Sequence, residues 1–255
     1  MREIVEALLG ALASLVHPRM WLLMIWPMAV ALLIWTILAV IFGHQVFDAV
    51  QTHLAATEVY RSMIDIWPLS AMATILVWLL LAAIFIPLVL VTASLIISIV
   101  SMPTIIRQVA TDRYPSLERR HGGSVVGSLW NAASTLVLLM LLVFGSVPLW
   151  LMPFLWPVIP VLLFAFFNQR LFRYDALAEH ADAAELRELV VACRGQWWGL
   201  GIALALLGHV PIIGFFVPVL GGLAFTHFGL ARLHALRITR PPGAAGARVI
   251  EGELA

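Results

Sequence analysis

Apolar residues fall into four long blocks that carry no Asp, Glu, Lys or Arg: residues 20–43, 66–106, 122–169 and 195–231. A bilayer core about 30 Å thick takes about 20 apolar residues of helix to cross. Block 20–43 is therefore predicted to cross once, with Pro27 near its start, where a missing N–H costs least. Block 66–106 exceeds one crossing and is expected to project beyond the bilayer or to bend at Pro87. The other two blocks are interrupted in the middle. Pro148, Pro153, Pro157 and Pro160 fall in the third, and Gly208, Pro211, Gly214, Pro218, Gly221 and Gly222 in the fourth. Each reads as helix, break, helix. The arms of the fourth are only about 12–15 residues, short of a crossing. Re-entrant, hemi-penetrating helical hairpins are predicted for both, with Pro153, Pro157, Pro211, Gly214 and Pro218 at the breaks. Non-helical backbone at membrane depth requires cover by protein or by a wet cavity.

The remaining segments are shorter. Ile4, Leu8, Leu12 and Leu15 recur at helical spacing, so residues 2–16 are predicted to form an amphipathic helix at the interface. Glu3 and Glu6 oppose the charge pattern of a secretory leader. The stretch ALAEHADAAELRELVVACRG reads as an amphipathic connecting helix, with Asp175, Glu179 and Asp182 available to Arg173 or Arg187. Pro241-Pro242 ends order, leaving 239–255 as a flexible tail. The expected architecture is a single all-α integral membrane domain over residues 1–238. It has two long transmembrane helices, two re-entrant hairpins and one interfacial helix.

Composition sharpens this. Of 255 residues, 62% are hydrophobic and only 11% are charged. A soluble domain carries about 25% charged residues, so an ordinary water-soluble enzyme and a disordered chain are excluded. The net charge is +1, too small to recruit nucleic acid. All fifteen basic residues are arginine. Arg61 stands alone against Asp48, Glu58 and Asp65 in segment 44–65. Segments 107–121 and 170–194 and the C-terminal tail hold four arginines each, and Arg2 and Arg19 flank the start. The arginine-rich segments are expected on the cytoplasmic side, together with both termini. Each hairpin then begins and ends on one face.

Catalytic chemistry is sparse. No Walker loop, Rossmann fingerprint, G-x-S-x-G or H-E-x-x-H is present, and no enzyme activity is expected. Cys193 is the single cysteine, and the eight histidines show no three-ligand convergence, so no metal or other cofactor is expected. The polar groups at expected depth are weak ones, such as Thr36, Ser98, Asn131, Thr135 and His227. That inventory fits a passive path better than proton coupling. The strongest ligand signal is anionic. Arg119-Arg120-His121-Gly122-Gly123-Ser124 precedes the third block, where glycine amides, a helix N-terminus and two guanidiniums could meet an anion. Arg19, beside Pro18 at the start of the first span, is the second candidate.

The helix–break–helix ending in FNQRLFRYDALAEHA, followed by one containing GIALALLGHVPIIGFFVPVLGGLAFTH, resembles the CysZ family of bacterial inner-membrane sulfate-uptake proteins. The wider etoposide-induced membrane protein family includes them. The likeness covers roughly residues 5–235. It implies two long transmembrane helices, two hemi-penetrating hairpins, homo-oligomerisation, and sulfate or small-oxyanion movement without ATP hydrolysis. It also implies location in the bacterial inner membrane. In the CysZ subfamily a Pro-Gly-Leu-Arg-Arg motif follows the first helix and holds the anion. Here that place reads Pro18-Arg19-Met20-Trp21-Leu22, with Arg19 in place of the glycine and Trp21-Leu22 in place of the arginine pair; Arg19 and Met20 are the anion-binding candidates there. Such a departure leaves a non-transporting membrane scaffold or regulatory interaction protein of the same fold as the alternative.

Overall fold

A computed structural model describes residues 2–14, 18–64, 66–210 and 213–239, with the side chains of 18–24, 59, 63 and 64 outside that description. The tail beyond Thr239 and the break residue Pro211 also lie outside it. The described residues form helices joined by short turns, with no strand among them. The chain divides into two compact units, residues 24–96 and the remainder.

The first unit, 24–96, is an antiparallel pair. It is built on α2 (Pro18–Ala55) and α4 (Leu69–Ile96), with the short α3 (Glu58–Ile64) between them. Tyr60, Ala73 and Val77 form its small buried cluster, against Phe47, Val50, Leu54 and Leu81. Phe47 stacks on Trp78 with ring centroids 5.2 Å apart. The indole N–H of Trp35 donates to Thr92 Oγ1 at 2.9 Å, which gives a polar pair of atoms internal partners within the apolar helices. Most of the remaining surface is exposed Leu, Ile, Val and Trp. In the apolar window of Ile25–Ala55 only 17% of residues are buried. Faces this large and apolar need lipid or another protein around them. Pro87 lies inside α4, which runs through it. The change of helix type comes later, in a π-helical turn at Ile97–Ser101. An inserted residue of this kind re-aims side chains without a break.

The second unit holds α1 (Arg2–Ser14), α5 (Met102–Arg113), α6 (Val125–Ser146), α7 (Val158–Ala178), α8 (Ala183–Ala192), α9 (Arg194–Gly208) and α10 (Ile213–Thr239). In α1 the small residues Ala7, Gly10 and Ala11 are buried, while Val5, Leu9 and Leu12 stay exposed. Small residues let α1 approach α10 closely. The apolar stripe is left on the outer side.

Two 3₁₀ turns, Val147–Leu151 and Pro153–Leu155, join α6 to α7, and Pro157 caps α7. Proline at the start of a helix loses no intrahelical bond. The chain thus turns back where the prolines cluster. The second turn-back comes at His209–Val210, with Gly214 in the first turn of α10. Pro218 is a difference from expectation: it is buried inside α10, and the helix continues through it. As the sixth residue of α10 it lies just past the first turn, so its missing N–H removes the bond to the Gly214 carbonyl, and the helix carries that loss without breaking.

α7 and α10 are the core of this unit. Trp197 of α9 is fully buried, stacked on Phe225 at 5.7 Å and edge-on to Phe228 at 4.6 Å. α9 crosses α7 at Gly201, where an added Cβ would lie 2.7 Å from the Ala165 carbonyl oxygen. Glycine is required there because the two backbones touch.

Five helical stretches are long and apolar enough to cross a membrane: Ile25–Ala55, Leu69–Arg113, Val125–Leu151, Pro153–Ala178 and Ile213–Thr239. The last differs in kind, since 83% of its apolar window is buried inside the protein.

Gly201→Val is expected to force α9 off α7 and abolish the monodisperse peak in fluorescence-detected size exclusion. Gly145→Ala, where nothing lies within 4 Å of the added methyl, is expected to leave that peak unchanged.

Candidate functional site

The segment between α5 and α6 was the main candidate for an anion. Its four amides already have partners. Arg120, His121, Gly122 and Gly123 donate to the carbonyls of His180, Glu179, Ala181 and Ala178 at 3.3, 3.2, 2.8 and 2.9 Å. A helix end leaves its last carbonyls without intrahelical partners, and here a strap from another part of the chain satisfies that of Ala178, the last residue of α7, and those of the three residues after it. His121 adopts a left-handed φ of 48° to make the turn. An added Cβ at Gly122 would lie 2.4 Å from the Asp182 backbone, and one at Gly123 2.5 Å from Ala178 Cβ. The glycine pair permits this contact. Its amides therefore cap α7 and do not face an anion.

The two arginines are also engaged. Arg119 pairs with Glu179 at 3.4 Å, which Arg107 contacts as well at 3.3 Å. Arg120 meets Glu185 at 3.0 Å and Asp182 at 3.5 Å. Glu185 is the hub. It is 1% exposed and takes a two-pronged contact from Arg237 at 2.9 Å on each oxygen. It also accepts from the Asp182 amide, completing a capping box at the start of α8. Arg237 in turn donates to the carbonyls of Glu118 and His180. One buried carboxylate thus ties the strap, α8 and the end of α10 together. α8 is amphipathic as expected, but its buried face carries the charged Glu185 beside Leu189. Arg19 and Met20 lie in the first turns of α2, and their side chains fall outside the described residues.

A cavity of about 250 Å³ opens beside the strap. Ser98, Ser128 and Asp175 line its inner part, and Arg107, His121 and Glu179 its outer part. Ser98 donates to Asp175 Oδ2, and Ser128 bears on the same carboxyl group. Asp175 is 3% exposed, and its Oδ1 has no hydrogen-bond partner. Asp175 was expected to meet Arg173 or Arg187. It sits instead on the face of α7 turned to the π-helical turn, two residues and about half a helical turn from Arg173.

Further up α7 runs a second polar row. Asn131 of α6 donates to the carbonyls of Arg170 and Leu171 at 3.3 and 3.1 Å. Asn168 and Gln169 are buried, as is Thr135 of α6, and Thr135 Oγ1 and Asn168 Nδ2 lack partners. Such groups at helix contacts inside a membrane protein mark polar paths or specific packing.

A family model described as sulfate transporter CysZ/etoposide-induced protein 2.4 matches residues 7–218. The chain belongs to this family. No curated protein and no solved structure matches it. The match in this CysZ/etoposide-induced protein 2.4 family member takes in both breaks, the strap, Asp175 and the polar row. It ends before Arg232 and Arg237. Sequence reasoning gave Asp175 only an ion-pairing part and assigned Glu185 none. For Glu185 the Asp182-x-x-Glu185 spacing is a visible capping signal.

Two outcomes are expected. Replacing Glu185 by Gln leaves Arg237 buried without its counter-charge, a loss of about 3 kcal/mol. Thermal unfolding in detergent should register it, while Glu118→Gln, with a side chain 79% exposed, should shift stability by less than about 0.5 kcal/mol. The second concerns His180, 1% exposed just after α7. Burial pushes its pKa below the ordinary 6.5, with Arg119, Arg237 and His121 adding to the shift and Glu179 opposing it. Below pH 6.5 the unfolded chain takes up a proton that the folded chain refuses, so stability falls as pH falls. Melting temperature should drop between pH 7.5 and 5.5, and His180→Gln should flatten that slope.

Proposed function

We propose that this family member passes sulfate or a related small oxyanion across the bacterial inner membrane, through an oligomeric assembly and without ATP hydrolysis. The observation that carries this is the family match over residues 7–218. The exposed apolar faces of α2 and α4 support it, since they need lipid or a second copy as cover. In this reading α2 and α4 cross the bilayer. The hairpins α6–α7 and α9–α10 enter and leave on the cytoplasmic face, with both termini there. α9 has 15 residues, which at 1.5 Å per residue reach about 22 Å, short of a roughly 30 Å core.

A dianion leaving water must find donors along its path. Arg19 is one candidate at the mouth of α2. Arg119 and Arg120 are held by carboxylates, which weakens their claim. That same pairing favours a second reading, a scaffold of the same fold that moves no anion. Influx of radiolabelled sulfate into ATP-free proteoliposomes separates the two. Influx well above protein-free vesicles, competed by selenate but not by chloride, is expected. Influx equal to protein-free vesicles from correctly assembled protein would leave the scaffold reading.

A further inference from the structure

The arginines of the second unit fall into two groups. Arg2, Arg107, Arg119, Arg120, Arg232 and Arg237 each contact a carboxylate. Arg113, Arg170, Arg173, Arg187 and Arg194 contact none among the described residues, and of these five Arg170, Arg173 and Arg194 lie where α7 meets α9. Arg170 and Arg173 are one helical turn apart and share a face of α7. Arg194 opens α9, which packs along α7. The charges of Arg170 and Arg194 both act on Arg173. Three cations are therefore gathered with no counter-ion, an arrangement that repels itself.

Their neutral contacts leave donors over. Arg173 donates one Nη to Gln169 Oε1 at 3.0 Å. Arg170 reaches Ser134 Oγ at 3.5 Å through Nη2, and its Nε is buried without an acceptor. The first turn of α9 has no side-chain cap, so its amides add positive potential beside Arg194. Of the acids near this bend, Glu3 acts on Cys193 and is already held by Arg232.

We propose that Arg170, Arg173 and Arg194 form a binding site for a tetrahedral oxyanion of the sulfate and phosphate class. Guanidinium forks match such oxygens two at a time, and one dianion offsets the mutual repulsion of all three. This deepens the transport reading by giving the anion a place, and it is measured apart from flux. The anion is either a free ion or the phosphate of a lipid headgroup; the chemistry is the same.

The test uses the full chain in detergent. Sodium sulfate is titrated and the melting temperature followed, with sodium chloride at matched ionic strength as reference. Retained phosphatidylglycerol is measured in parallel by native mass spectrometry. A sulfate-specific rise in melting temperature, weakened about tenfold in apparent affinity by Arg173→Gln, establishes the free-ion site. Retained phosphatidylglycerol that Arg173→Gln releases establishes the headgroup form. Arg194→Gln serves where Arg173→Gln does not fold, because Arg194 is exposed and its replacement leaves the core intact. Sulfate and lipid binding that are both absent, or both unchanged in the variants, overturn the site. Loss of flux with binding intact would fault the transport reading and not this one.

Discussion

The last turn of α7 is held by groups that α7 does not own. Four consecutive amides of the strap donate to the carbonyls of Ala178, its last residue, and of Glu179, His180 and Ala181 just beyond it, and Glu185, Arg120 and Arg237 clamp the same end from three other elements. A helix end withdrawn from water cannot leave these groups bare. The strap, α8 and the end of α10 are arranged around that solution. The strap sets the entry of α6, the capping box sets α8, and Arg237 fixes where α10 ends. The cavity and the polar row then follow from which faces of α7 remain.

Charge pairing sorts the arginines by role. Those at the clamp and on the helix ends around it are neutralised by carboxylates that are themselves buried or half-buried. They hold the fold together. Arg170 and Arg173 of α7 are left with neutral partners, and Arg194 at the head of α9 contacts no carboxylate among the described residues. Uncompensated charge gathered in one place, where α7 meets α9, is the observation that separates binding from architecture.

Much of the fold was legible because absence of charge over long runs is a strong signal in a chain with few charges. The four apolar blocks became the long helices, and the proline cluster at 148–157 became the turn between α6 and α7. Pro218 misled, since a proline inside a helix removes one hydrogen bond but need not end the helix. The site was less legible. Gly122-Gly123 after two arginines describes an anion cradle and a helix clamp equally well; the difference lies in what sits opposite, and that is contributed by residues 178–181. Glu185 and Asp175 looked solvated because their neighbours in sequence are polar. Their burial depends on Arg237, 52 positions on from Glu185, and on Ser98, 77 positions before Asp175. No local pattern carries such distances.

The claim that the strap arginines hold structure while the α7–α9 arginines meet the anion is open to one direct measurement. Crystals grown with selenate in place of sulfate can be read by anomalous diffraction at the selenium edge. The account predicts a selenium peak between Arg170, Arg173 and Arg194, with none at Arg119 and Arg120. A peak at the strap, with Glu179 and Glu185 displaced from their arginines, would contradict it.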